Sequence, residues 1–193
     1  MRWALVAGAA AAVLNVVRWQ LKRFTTPKPG YEVLKRVKRL ELRQYPSMVV
    51  AETDVEKDFD GSLDEGFARL AAYIFGGNYS GKKMVMTAPV MARRRNGRHV
   101  VAFVMPPHRK LAELPVPNDS RVRVRELAPR VVAALKWHGR YDGASVAKAE
   151  LELMKMVVAL GLKTRGVPMF AGYDAPATLP PLRRNEMWVE LET

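Results

Sequence analysis

The chain has 193 residues, the length of one domain with a short extension. Its 49% hydrophobic and 26% charged content is that of a folded globule, which excludes a disordered, collagenous or multi-span membrane protein. With no cysteine, thiolate nucleophiles and thiolate-held zinc or iron–sulfur centres are also excluded. The 32 Lys and Arg against 19 Asp and Glu give a formal charge of +13. Five of those cations and no acid fall in residues 1–30, so 27 basic residues face 19 acidic ones in the rest. An excess spread over so many segments reads as a solvated surface, and no nucleic-acid partner is expected.

Residues 3–17 (WALVAGAAAAVLNVV) are apolar apart from Asn15 and lie between Arg2 and Arg18. As a helix they rise about 22 Å, short of a hydrocarbon layer of about 30 Å, and running on to Leu21 with Arg18 snorkelling nearly closes the gap. The run ends in Arg18-Trp19-Gln20 rather than in small residues, which favours an uncleaved anchor over a cleaved signal for export. Residues 1–24 are thus expected to anchor the chain, with residues 3–21 in the membrane. Residues 25–30, with Pro27 and Pro29, are expected to be a stiff linker into a domain over residues 31–193. The cations after the apolar run place that domain on the cytoplasmic side.

Residues 31–43 and 48–55 read as a strand pair around Tyr45-Pro46-Ser47. Ser62 stands three residues before Glu65 as a capping box. The apolar residues Leu63, Phe67, Leu70, Ala71, Ile74 and Phe75 then follow a 3.6-residue period up to Gly76-Gly77. Residues 84–91 and 99–105 form two further strands, with Asn96-Gly97 suited to a tight turn. After a Pro-rich crossing, residues 121–127 and 130–138 are strands. A second helix runs behind Ser145 with Val146, Ala149, Leu153, Met156, Val157 and Leu160 on one face. Residues 169–173 and 186–191 complete the pattern. Each half has two strands, a helix and two strands. The expected fold is therefore α+β, with duplicated ββαββ halves forming a barrel-like antiparallel sheet core flanked by two helices.

Signatures of nucleotide hydrolysis, dinucleotide binding, serine hydrolysis and zinc peptidases are missing, so no catalytic residue is assigned. His99 and His108 read as surface residues. His138, at the end of a strand beside Gly139, stands where a side chain can reach a rim. The run from Arg93 to Arg98 resembles a phosphate-binding patch but lacks interleaved aromatics, and reads as a solvated hairpin end. Met84, Met86 and Met91 can line an adaptable apolar cleft or pack the core.

Tyr31-Glu32-Val33, Arg43-Gln44-Tyr45-Pro46, Val50-Ala51-Glu52-Thr53, the stretch from Phe67 to Asn78, Met86-Thr87-Ala88-Pro89-Val90, Gly172-Tyr173-Asp174-Ala175-Pro176 and Arg183-Arg184-Asn185-Glu186-Met187-Trp188 resemble the successive motifs of the SOUL haem-binding family. The resemblance covers residues 31–193 with all seven motifs in order. It implies the fold of the gyrase-inhibitor-like effector-binding domains. It also implies non-covalent, reversible binding of haem or another tetrapyrrole beside the first helix and under the loop before the last strand. Carried onto this sequence, the expected binding residues are Phe67, Arg69, Leu70, Ala71, Ile74, Met86, Tyr173, Arg183 and Arg184. The two loop arginines serve the propionates, and His138 or Tyr173 is the candidate iron ligand. Two other readings stay open. One is an effector binder or hydrolase of the related fold, with Glu186 or Glu52 as a pocket acid of raised pKa. The other is a protein- or lipid-surface module working through its basic charge.

Overall fold

The computed structural model describes residues 26–107 and 109–192. The expected anchor lies outside the described residues, and among those described no helix is long and apolar enough to cross a membrane. In chain order the strands are β1 (Glu32–Val37), β2 (Leu40–Tyr45), β3 (Met48–Val55), β4 (Val90–Arg95), β5 (Arg98–Val104), β6 (Val122–Leu127), β7 (Arg130–His138), β8 (Thr164–Gly172) and β9 (Arg184–Leu191). Helix α1 (Phe59–Ile74) lies between β3 and β4, and α2 (Gly143–Ala159) between β7 and β8.

All nine strands join one antiparallel sheet in the order β1-β2-β7-β9-β8-β4-β5-β3-β6. With β1 set aside, exchanging β2, β3, β4 and β5 for β6, β7, β8 and β9 turns this order into its own reverse, which is the mark of a duplicated ββαββ unit. The pseudo-twofold passes between β4 and β8, and β2 and β6 each cross over to pair in the opposite half. The expected α+β fold therefore holds, but the sheet is curled rather than a closed barrel, with β1 and β6 as its edges.

Both helices pack on one face, over Val101, Phe103, Leu135, Phe170 and Met187. The other face is also buried, with Tyr45, Val50, Met91, Val104, Ala134 and Trp188. Among the described residues no helix lies on that side, and the curl of the sheet itself shields it from water.

Four expectations change locally. Residues 31–43 are a hairpin rather than one strand, because the chain reverses at Lys38 with φ +55°. The helices start earlier than the serines suggested. Asp58 accepts from Gly61 N and Asp142 from Ser145 N, each at 2.9 Å, since a carboxylate is available one turn ahead. Ser62 is instead buried, its hydroxyl donating to Lys57 O and lying 3.2 Å from Nδ1 of His99, which is itself buried rather than on the surface. Residues 84–89 form no strand: Pro89 has no N–H to give a ladder, and the segment is tied instead by Met84 N to Ile74 O and by the Thr87 hydroxyl to Val104 O. Before β1, Pro27 O accepts from Ala88 N at 2.9 Å.

Candidate functional site

The face that α1 buries is set by its small residues. Ser62, Gly66, Leu70, Tyr73 and Ile74 face the sheet, and a Cβ on Gly66 would come within 2.6 Å of the Val101 side chain. Close approach along this stripe turns the larger Leu63 and Phe67 to the flank of the helix. Phe67 remains 40% exposed, with its ring edge-on to Phe103 at 5.3 Å.

Leu63 and Phe67 form one wall of a cleft of about 370 Å³, within the size range of small-molecule sites. Met86, Ala88 and Val90 form the second wall, and Phe170 with Tyr141 the floor and far side. The residues from Gly172 to Pro176 close one end. Its interior is apolar. Asp60 and Asp64 stand on the α1 side and Asp174 on the loop side, and Thr26 of the linker completes the rim. Burial pushes the Tyr141 hydroxyl above the ordinary phenol range.

Three of the residues expected at the site line this cleft: Phe67, Met86 and Tyr173. Arg183 adjoins it, its guanidinium 5.4 Å from the centre of the Tyr141 ring and hydrogen-bonded to the carbonyls of Thr178 and Pro176. The others lie elsewhere. Leu70 and Ile74 are buried against the sheet and Ala71 packs beside them, because the helix is rotated by its small stripe. Arg69 donates to Thr53, Asp54 O and Glu65 on the opposite flank of α1. His138 is exposed with Nδ1 3.1 Å from Arg183 O, and it does not line the cleft. Leu63 and Phe170 were legible only as core positions. Nothing in the sequence marks Tyr141, which reaches the cleft because β8 lies beside β4.

Arg184 belongs to a different centre on the inner face of the curl. There Glu186 is buried and receives Arg43 through two bonds of 2.6 and 3.0 Å, Arg184 at 2.6 and 2.9 Å, Trp188 Nε1 at 2.7 Å and the Tyr173 hydroxyl at 3.2 Å. Burial alone would raise the Glu186 carboxyl, but Arg43 and then Arg184 outweigh it and hold it below the usual carboxylate range. Burial, and then the charge of Glu186, push the Tyr173 hydroxyl well up. Burial carries Tyr45, whose ring lies tilted against Trp188 at 5.1 Å, to about 12. A carboxylate held ionised by this many donors is the reverse of the raised-pKa acid that a hydrolytic site would need. Glu52 is likewise buried, among arginines of β4 and β6. Among the described residues no cluster of three His, Cys, Asp or Glu is arranged to hold a metal ion.

The chain is 27% identical to the human protein named heme-binding protein 2, over 94% of this chain and 88% of that one. In fold it is similar to the C-terminal domain of EcmrR, with a TM-score of 0.59 at 13% identity over 84% of this chain and 98% of that domain. It is similar also to a protein described as a hydrolase from Listeria innocua, with a TM-score of 0.53 at 13% identity over 89% and 96%. Those likenesses establish the effector-binding type of fold that the strand order displays. The model of the SOUL heme-binding protein family matches residues 26–190, spanning the curled sheet, both helices and the cleft between α1 and the loop after β8, and the chain belongs to that family.

Proposed function

We propose that this chain binds haem or a related flat tetrapyrrole non-covalently and reversibly in the cleft beside α1. The observation that carries the reading is Phe67, a large ring left 40% exposed in a folded chain, which with Leu63, Met86, Val90 and Phe170 forms an apolar slot. A flat apolar ring system covers such surface at no polar cost. The residues fit a porphyrin whose carboxylates leave by the Arg183 end, since two acids, Asp60 and Asp64, repel them on the α1 side, whereas the one acid of the loop side, Asp174, accepts from Arg184 N and has Arg183 nearby. Thioether attachment is excluded, because the sequence has no cysteine. Iron, where present, would bring a demand for an axial ligand. Met86, Tyr141 and Tyr173 are the lining side chains of a type that ligates it, of which Tyr173 already gives its hydroxyl to Glu186, while His99 and His138 lie elsewhere. Without a built ligand set the cleft holds its guest by apolar contact, which suits a carrier, buffer or sensor rather than an enzyme. We further propose that residues 3–21 tether the domain to a membrane with the domain on the cytoplasmic side. Full-length chain that leaves the membrane pellet on carbonate extraction would refute the tether.

The test of the site is an absorbance titration of the chain with hemin and with metal-free protoporphyrin. One equivalent of each is expected to bind. Phe67→Asp sets an unpaired ion against the ring and is expected to weaken both by roughly tenfold or more. Arg183→Ala is expected to lower affinity by about 5 to 150-fold. His138→Ala should leave the Soret band unchanged. Affinity indifferent to Phe67→Asp would overturn the cleft as the site.

A further inference from the structure

The arginine run of β4 plays no part in the cleft. Arg93 and Arg95 alternate onto the inner face, opposite Val100 and Arg98 of β5; Asp54 of β3 lies across from Val100 and Glu52 from Ala102, and on the far side of β3 Arg123 of β6 lies opposite Glu52 and Arg125 opposite Val50. Asp54 takes Arg95 at 2.7 Å and Arg123. Glu52 takes Arg125 at 2.9 Å, with Arg95 at 3.5, Arg123 at 3.8 and Arg93 at 3.9 Å. Two carboxylates thus serve four guanidinium groups, and Arg93 keeps the longest of the contacts. The curl brings in a fifth, Arg130 of β7, whose hydrogen bond goes to Met48 Sδ at 3.8 Å. Among the described residues no carboxylate lies within 4.0 Å of it.

These groups repel one another where water screens them poorly. Burial lowers the proton affinity of Arg93, and its neighbours Arg125 and Arg95 lower it further against the pull of Glu52 and Asp54. Burial does the same at Arg130, where Arg125 and Arg93 act against Glu190. Five guanidinium groups against two carboxylates leave an excess of three positive charges, which is costly to a chain that must fold with them held close together. A guanidinium fork matches the paired oxygens of a phosphoryl or carboxylate group, so an oxyanion with more than one charge would supply what Glu52 and Asp54 leave short.

We propose that Arg93, Arg125 and Arg130 form a binding site for a small soluble oxyanion of two or more negative charges, on the inner face of the curl and separate from the α1 cleft. Solvent reaches it, since the Arg93 and Arg125 side chains are 28% and 42% exposed. The half-buried position of Arg130 favours a free oxyanion over a lipid headgroup.

Calorimetric titration of the full chain with pyrophosphate and with citrate, against sodium chloride of equal ionic strength, tests this. Binding of either anion is expected, with the preference telling phosphoryl from carboxylate. Arg93→Gln and Arg130→Gln are expected each to lose about tenfold or more in affinity. The exposed Arg36→Gln on β1 should lose none, and hemin titration should be unaffected in all three, which separates this site from the cleft. Without anion, the Arg93 and Arg130 variants should melt no lower than the parent, because a repulsion has been removed. If a variant fails to fold, the parent's rise in melting temperature with pyrophosphate over matched chloride carries the test. No response beyond chloride, or variants that bind as the parent does, would overturn the proposal. So would pelleting with phosphatidylglycerol vesicles that depends on Arg93 while pyrophosphate has no effect.

Discussion

Two charge centres share the inner face of the curled sheet, and they are built to opposite ends. Around Glu186 the accounts balance: Arg43 also reaches Glu41 at 2.8 Å, Arg184 lies 4.1 Å from the centre of the Tyr173 ring, and Trp188 and Tyr173 fill the remaining lone pairs. Around Glu52 and Asp54 five arginines crowd two carboxylates, and Arg130 has no ion pair among the described residues. The first centre is closed and leaves nothing for a ligand to do. The second is open and short of negative charge. A buried ion pair and a binding site are thus distinguished by whether the donors are matched, not by how many charges are present.

The strongest way to break this contrast is at Glu186. Glu186→Gln takes the fully buried carboxylate from Arg43 and Arg184, leaving Arg43 only the partly exposed Glu41, and is expected to cost about 3 to 5 kcal/mol, read by urea unfolding. A loss below about 1 kcal/mol would mean that the centre is not closed. Acid unfolding sharpens the same point. Because Arg43 and Arg184 hold the folded Glu186 carboxyl below its unfolded value of about 4.3, its contribution is complete above that pH. It drains away as pH falls from there toward the folded pKa. Stability below about pH 4 should therefore fall less steeply in Glu186→Gln than in the parent. Part of the slope will remain, because Asp54 and Asp119 are also held low by their arginines, Asp119 to about 2. The smallest effect belongs to the open centre. Asp54→Asn frees Arg95 and Arg123, whose side chains are 35% and 48% exposed and can turn to water, and should cost less than about 1 kcal/mol by the same unfolding measurement.

Helix α2 and helix α1 show how far the sequence could be read. In α2 four of the six periodic residues, Val146, Ala149, Leu153 and Val157, are buried as the 3.6 period requires, while Met156 is half-buried and Leu160, at the helix end, is exposed. In α1 the same rule predicts Leu63 and Phe67 in the core. There the helix instead closes on Val101 through Ser62 and Gly66, small residues that carry no hydrophobic signal. That rotation is what leaves Phe67 free to line the cleft. Met86 and Tyr173, singled out through the family motifs, line the cleft, whereas Leu70 and Ile74, singled out with them, are turned into the core by the rotation. The arginine run of β4 was also legible, but not the arginines it faces.

The sequence by itself determined the two helices, most of the strands, the doubled ββαββ order, the Asn96-Gly97 turn and the family, because periodicity, turn chemistry and ordered motifs are local. Only the tertiary structure decided which residues meet. Glu186 joins Arg43 from 143 positions away because β7 pairs with both β2 and β9. Arg125 joins Glu52 because β6 crosses to pair with β3 in the other half. Phe170 and Tyr141 reach the cleft of α1 because β8 lies against β4 at the pseudo-twofold. Strand pairing between halves is set by the burial of whole faces, a quantity summed over the sheet, and no segment of the chain carries it alone.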